Sequence, residues 1–424
     1  MNLVVRSIFI ISLVLCYKYI PTFEPKGINY LISLICLGFI GFELKKVWDS
    51  IKLNEKIKIQ KIAYFTVIIC IFLSVILIMH KEFPAGNIRY IRGILIVMCI
   101  GIGGKIVGII SKSTINNFTK NSVLFTFSAI SFIAILEIIF MFISLSHGSG
   151  EAFSGKIWGK RNWNPINSLG LRDEEPKEGK NTVFFVGDSF TAGWGVKKIE
   201  KRFGEITAEE LKKKGKIINE INLGRYGADT QLEFHLMETF IKKTNITPDH
   251  IVLQFFVNDM DNLMPVSKNC TQKPVSIPSW KKTAIEGSYL INFINSIYPS
   301  SNNNVTLPKE CDYAERLKNA FNTDSIWEKE EHQLLKFTNY CKEKKIKMTI
   351  VFFPFMEDLE LAKNCGIENK INVFANKNNL HFFNIGNYIK TLSTKEREAS
   401  TMDAHASAKV HRIVGKKLAT HIQL

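Results

Sequence analysis

No group of histidines and cysteines in the 424-residue sequence has the spacing of a metal site, so neither a metal nor any other cofactor is expected. The basic–aromatic motifs of nucleic-acid binders are missing as well. A net charge of +16 is spread along the chain without them, so nucleic acid is not the expected partner. Histidine is scarce, and none of the nine lies inside a long apolar run. The first such run is not followed by a small-residue cleavage site and reads as a retained anchor, not a removed signal peptide.

Long apolar runs are plentiful, but only in the first third of the chain. Five of them, 4–20, 28–44, 62–79, 91–110 and 123–145, are long enough to cross a bilayer. They predict an N-terminal all-α transmembrane region over 1–146. Residues 1–150 hold 15 Lys+Arg against 6 acids, and the excess sits between the runs. Lys45, Lys46, Lys52, Lys56, Lys58 and Lys61 lie between the second and third, and Lys112 and Lys120 between the fourth and fifth. The alternate loops carry only Lys18 and Lys26, and Lys81 and Arg89. Positive charge stays in the cytoplasm, so the N-terminus is expected inside and everything after the fifth run outside.

Gly101 to Gly108 superficially resembles a phosphate loop, but it lies in an apolar run with no strand before it. Gly104 and Gly108 instead form a GxxxG pair that would allow close helix packing. Lys105 is near the cytoplasmic end of its run and can snorkel. Glu137 sits mid-run and reads as a structural or interhelical polar contact. The region is expected to anchor the chain or to dock a membrane partner.

From residue 151 onward 40 Lys+Arg stand against 33 acids, an ordinary globular balance. Residues 147–180, rich in Gly, Ser, Trp and charge, read as a linker, and Asn167 to Arg172 within it as a loop packing on the domain edge. Strands are predicted at 183–186, 217–223, 251–256, 348–353 and 380–383, alternating with helices that include 205–214, 325–344 and 406–421. Asp229 is a candidate cap for the helix running to Lys242, and Ser325-Ile-Trp-Glu328 is a candidate capping box. An irregular insertion fills 261–324. Alternation of this kind predicts an α/β domain over 181–424, with a doubly wound, three-layer parallel sheet.

Polar residues collect where the predicted strands end. The apolar run 183–186 breaks at Gly187-Asp-Ser-Phe190, placing the Ser189 hydroxyl between a strand and a helix, where a serine nucleophile can be served. Asn222-Leu-Gly-Arg-Tyr-Gly227 follows the second strand and Val257-Asn258-Asp259 the third. Ligands of open parallel sheets bind outside those ends. Met402-Asp-Ala-His405 precedes the last helix.

These blocks, in this order, resemble those of SGNH (GDSL-type) hydrolases, serine esterases and related acyl-transferring enzymes. The resemblance covers the C-terminal two-thirds of the chain and implies a flavodoxin-like sheet. It also implies Ser189 as nucleophile, His405 as base and Asp403 as its orienting acid. The backbone N–H groups of Ser189 and Gly227, with the Asn258 amide, would form the oxyanion hole. The family usually spaces the acid three residues before the histidine; here Met402 holds that place and Asp403 is two before. The orienting group is therefore left open between Asp403 and a backbone carbonyl. His411 is the rival base, expected to pack along the last helix, and His235, His250, His332 and His381 are expected to be surface or core residues.

Cys16, Cys36, Cys70 and Cys99 fall in apolar runs and read as packing. Cys270, Cys311, Cys341 and Cys365 fall in the part expected outside, where oxidation is open to them. A Cys270–Cys311 disulfide closing the insertion is expected, with Cys341–Cys365 as the second choice. The function expected is a membrane-anchored extracytoplasmic esterase acting on acyl esters of an envelope glycan or lipid. The alternatives are an O-acyltransferase modifying an envelope polysaccharide, and a non-catalytic carbohydrate-binding assembly protein on the same fold. The topology has a direct check: a reporter active only in the cytoplasm, fused after Leu424, is expected to stay silent, and a signal there would reverse the orientation.

Overall fold

The structure, a computed structural model, describes residues 116–143, 145–148, 153–264, 288–298 and 312–422, with isolated positions between 96 and 112 and at 284–285. The chain divides into two compact units, 1–138 and 139–424. The fifth apolar run forms helix α1, Asn117–Phe142, which is long and apolar enough to cross a membrane. Phe118, Phe125 and Phe132 on it are exposed. Glu137 is buried. The first three apolar runs and Lys105 lie outside the described residues, and the fourth is described at scattered helical positions. There a Cβ on Gly103 would meet Phe127 Cε2 at 2.3 Å, and one on Gly104 would lie 3.9 Å from Phe127 Cζ.

The second unit runs α2 (Phe153–Asn162), β1 (Thr182–Val186), α3 (Ser189–Ala192), α4 (Phe203–Lys213), β2 (Asn219–Asn222), α5 (Thr230–Thr244) and β3 (His250–Phe255). It continues with α6 (Tyr289–Ile297), α7 (Tyr313–Asn322), α8 (Asp324–Lys344), β4 (Lys347–Phe352), α9 (Ile367–Lys377) and β5 (His381–Asn384). A hairpin of β6 (Glu398–Ser400) and β7 (Asp403–Ala406) then leads into α10 (Ala408–Leu418). The five-stranded sheet has the order β2-β1-β3-β4-β5 and all its pairs are parallel.

Strand side chains alternate between the two faces of this sheet. Phe184, Val186, Ile251, Leu253, Ile350 and Phe352 pack with α5 and α8. Val183, Phe185, Val252 and Val351 pack with Phe203 of α4 and with Val410, Val414 and Leu418 of α10. Helices on both faces explain why β1 and β3 are buried at every position. Truncating Phe184 or Phe185 to alanine, both fully buried, would cost about 3–5 kcal/mol. From β1 the chain winds to β2 on one side, then crosses back to β3 on the other, which puts the switch point of the sheet at the ends of β1 and β3.

Several sequence expectations need correction. The stretch read as a linker carries α2 and buries Trp158 and Arg172 at 1 % and 2 % exposure. Within the insertion, the described residues are largely the helices α6 and α7. The candidate capping box does not form: α8 starts at Asp324, and the Thr323 hydroxyl donates to Asn319 O of α7 at 2.7 Å. Thr323 alone separates the two helices, so no turn is available in which Ser325 could cap. The last helix begins at Ala408, because Ser407 caps it by accepting from Val410 N and the preceding residues pair as β7. Asp229 does cap α5, accepting from Leu232 N at 2.8 Å. Cys341 and Cys365 are separate buried thiols; Cys341 Sγ lies 3.9 Å from Met348 Sδ, and Cys365 Sγ faces Ala314 O. Cys270 and Cys311 lie outside the described residues.

Four carboxyls, Asp188, Glu233, Asp259 and Glu330, are almost fully buried. Burial raises the pKa of each, and for Glu233 and Asp259 the neighbouring carboxyls add to the rise. Glu330 accepts from Thr230 Oγ1 at 2.7 Å, yet burial still pushes it up to about 8. In the unfolded chain a glutamate titrates at about 4.3. Below that pH both states hold the proton; between there and the folded value only the native state keeps it, so stability falls as pH rises. Glu330→Gln is expected to flatten this slope. Melting temperature measured at pH 5 and pH 8 should drop less in the variant than in the wild type.

Candidate active site

β1 ends at Val186, and the turn that follows has no space to spare. A Cβ on Gly187 would lie 2.3 Å from Thr191 Oγ1 and 2.5 Å from Gln254 Oε1. Only glycine lets β1 and the end of β3 approach so closely. Gln254 Oε1 accepts from Asp188 N at 3.2 Å and from Thr191 Oγ1 at 2.9 Å, tying the turn to β3. Asp188 caps α3, its Oδ1 accepting from Phe190 N at 2.8 Å. Ser189 is thereby held as the first residue of α3, 3 % exposed.

The base and the acid arrive from the β6–β7 hairpin. Its strands are antiparallel, with Ser400 opposite Asp403 and Glu398 opposite Ala406. In a strand, residues two apart point to the same side. The shortened Asp-x-His spacing is therefore no obstacle: Asp403 and His405 lie side by side on β7. His405 Nδ1 is 2.5 Å from Asp403 Oδ1, and the same oxygen accepts from His405 N at 3.2 Å. His405 Nε2 is 2.8 Å from Ser189 Oγ. Burial pushes the Asp403 carboxyl up, but the His405 hydrogen bond and charge, with the Ser146 hydroxyl, outweigh it and hold the carboxyl below its ordinary pKa. An ionised Asp403 favours the tautomer of His405 that carries its proton on Nδ1 and leaves Nε2 free to accept from the serine.

The second and third motifs are sewn to the first. Asn222 Nδ2 donates to Thr191 O at 3.0 Å, and Arg225 N donates to Gly187 O at 3.0 Å. Gly227 closes this turn with φ +72° and open space around it. Asp259 Oδ2 accepts from Phe256 N at 3.1 Å, which fixes the turn holding Asn258. Asn258 is close enough to the Asp188 carboxyl to oppose the rise in its pKa, which puts it beside the serine, while its buried Oδ1 has no partner among the described residues.

His411 is elsewhere. It is fully buried on α10, stacked on Phe203, and its Nδ1 accepts from Phe203 N at 3.1 Å. Burial, with the charges of Arg202 and Arg172, drives its pKa down to about 3, so it stays neutral. His250 is buried and paired with Thr349 Oγ1 at 3.0 Å, while His235, His332 and His381 are on the surface. Among the described residues one acidic trio, Asp173, Glu205 and Glu220, is close enough to hold a cation. The buried Arg202 guanidinium already fills that role, pairing with Asp173 at 3.0 Å and with Glu205.

Two features escaped sequence reasoning. Arg172, in the loop read as a domain edge, reaches under the turn that follows Ser189. Its Nη1 donates to Ala192 O and Gly193 O at 3.2 and 2.6 Å, and its Nη2 to Asn162 O and Val196 O at 3.0 and 2.7 Å. It also lies over Trp163, 4.9 Å from the ring centroid. The second feature is an aromatic wall around the imidazole. Phe190, Trp194 and Tyr226 stand 5.1, 6.4 and 6.3 Å from the His405 ring, and Tyr226 is 38 % exposed. Tyr226 belongs to the second motif, which was the one signal available for it.

No protein-family model and no curated protein matches the chain. Solved structures do resemble it. The acetyl xylan esterase AlAXEase is 19 % identical, with 57 % of this chain and 100 % of that one covered at a TM-score of 0.35. Axe2, an acetylxylan esterase from Geobacillus stearothermophilus, is 14 % identical over 58 % of this chain and 95 % of its own, with a TM-score of 0.35. The psychrotrophic esterase EstA from Pseudoalteromonas sp. is 10 % identical over 57 % and 96 %, with a TM-score of 0.33.

Arg172 offers a test of how the turn is held. Arg172→Ala leaves several buried carbonyls without a donor, and each costs roughly 1–3 kcal/mol. Arg172→Lys offers one point charge in place of a planar fork and is expected to restore little. Urea unfolding should show both variants destabilised; a midpoint equal to that of the wild type would mean the fork is dispensable.

Proposed function

We propose that this protein is a serine hydrolase of acyl esters, anchored in a membrane by its N-terminal region with the sheet domain outside the cytoplasm. The observation that carries the reading is the hydrogen-bonded series Ser189, His405, Asp403 at the end of a parallel sheet. The membrane part rests on the lysine pattern of the loops and on the apolar helix α1. The apolar runs would form the anchor and the chain beyond α1 the catalytic part.

The chemistry follows from the geometry. Ser189 Oγ attacks the ester carbonyl carbon while its proton passes to His405 Nε2. Asp403 stabilises the imidazolium. The carbonyl oxygen, now negative, is received by the Ser189 and Gly227 backbone N–H groups and the Asn258 amide. Collapse expels the alcohol, which takes the proton back from Nε2. Water then attacks the acyl-serine, gives its proton to His405, and releases the acid, with the proton returning to Ser189. The exposed Tyr226 ring beside the base suits a sugar ring as the alcohol portion, which favours a glycan ester over a lipid ester.

A fluorophosphonate probe is expected to label the wild type and not Ser189→Ala; a folded wild type that fails to label would instead support a non-catalytic assembly protein. Ser189→Ala and His405→Ala should each abolish turnover, since nucleophile and base act as a unit. Asn258→Ala should lower it by about 10²–10³. Asp403→Asn should cost up to about 10⁴, because tautomer control is lost. His411→Ala should lower stability yet leave Ser189 reactive. Analysis of products with a sugar acceptor present separates hydrolysis from O-acyl transfer, the latter leaving the acyl group on the sugar.

A further inference from the structure

The segment that leaves α1 lies against three parts of the site. Gly148 N donates to Met402 O at 2.9 Å, and Ser400 Oγ donates to Ser146 O at 2.7 Å, both from the β6–β7 hairpin. Trp194 Nε1 donates to His147 O at 2.9 Å, and Tyr226 Oη donates to Gly148 O at 3.0 Å. Ser146 is only 3 % exposed, although it lies four residues beyond Phe142.

The burial of Ser146 has a counterpart on Asp403. Oδ1 of that carboxylate is occupied by the His405 ring and backbone N–H. Oδ2 is buried and has no partner at hydrogen-bonding distance. A buried charged oxygen without a donor is costly, so a nearby donor acquires a role. Oδ2 and Ser146 Oγ face one shared gap, which exists because residue 195 is glycine. A Cβ there would lie 2.4 Å from Ala399 Cβ, 3.3 Å from Asp403 Oδ2 and 3.7 Å from Ser146 Oγ, and the backbone has φ +83°. The Ser146 hydroxyl is thus the side-chain donor that borders Oδ2 across this gap.

We propose that Ser146 is a positioning residue: its hydroxyl serves Asp403 Oδ2 and, through Asp403, keeps the His405 imidazole aimed at Ser189. The proposal rests on the triad reading above. It places the N-terminal limit of the catalytic part at the exit from α1, well before β1, so the chain emerging from the apolar helix is itself a component of the site.

The test uses the full chain in detergent, with the rate of fluorophosphonate labelling of Ser189 as readout. Ser146→Ala is expected to slow labelling about tenfold or more, as loss of a hydrogen bond to a charged group would, in a chain that still unfolds cooperatively on heating. Ser146→Thr keeps the hydroxyl and should recover most of the rate. Placed on Asp403→Asn, Ser146→Ala should slow labelling no further, since the two residues act through one contact. Labelling of Ser146→Ala at the wild-type rate, or an independent further loss on Asp403→Asn, overturns the proposal while leaving the triad reading intact. Absence of labelling in the wild type overturns both.

Discussion

The contact on which the site depends is the 2.8 Å hydrogen bond between Ser189 Oγ and His405 Nε2, which joins residues 216 apart in sequence. Each end of it is fixed by different physics. Ser189 is placed by a strand that must end, a glycine without which β1 and β3 could not approach, and an aspartate that caps the next turn. His405 is placed by a short hairpin whose base is clamped by the cap of α10 and by Arg397, which donates to Met356 O at 2.7 Å. Were either support to shift by an ångström, the hydrogen bond would lengthen beyond useful range.

Around this contact the domain buries several ionisable side chains. Arg202 and Arg172 sit under the turn after Ser189, matched by Asp173, Glu205 and backbone carbonyls. Glu233, Asp259 and Glu330 are buried with several of their oxygens unpartnered. A buried polar group is retained against a stability cost when it specifies geometry that apolar packing would leave loose. The Arg172 fork illustrates this, since a planar donor set accepts one arrangement of the carbonyls around it and few others.

The chain between α1 and β1 belongs to the same economy of contacts. Trp158 and Trp163 pack on Trp194 at 4.9 and 5.2 Å, Trp194 packs on Tyr226 at 4.7 Å, and Tyr226 borders the His405 ring. Aromatic rings in tilted contact form a stiff wall, and this one continues from α2 to the imidazole.

The sequence was informative wherever a short local pattern has only one physical reading. Apolar runs of strand length alternating with helices implied a parallel sheet, and the five strands of that sheet fall within about two residues of the predicted ones, whereas the β6–β7 hairpin was not expected. The residues Ser189, Asn258, Asp403 and His405 were legible because each stands in a block next to a strand end or the last helix. What local pattern could not reveal is any contact made at long range. The spacing of Asp403 and His405 looked one residue short until β7 showed that a strand, with its period of two, puts both on one side. Arg172, Trp194 and Ser146 carry no motif; their roles come from carbonyls, rings and a carboxylate brought near by chain segments distant in sequence. Local sequence pattern thus determined the five strands of the sheet and which residues could do chemistry. Tertiary structure alone decided which of them meet, because hydrogen bonds and burial depend on distances that only the packed chain defines.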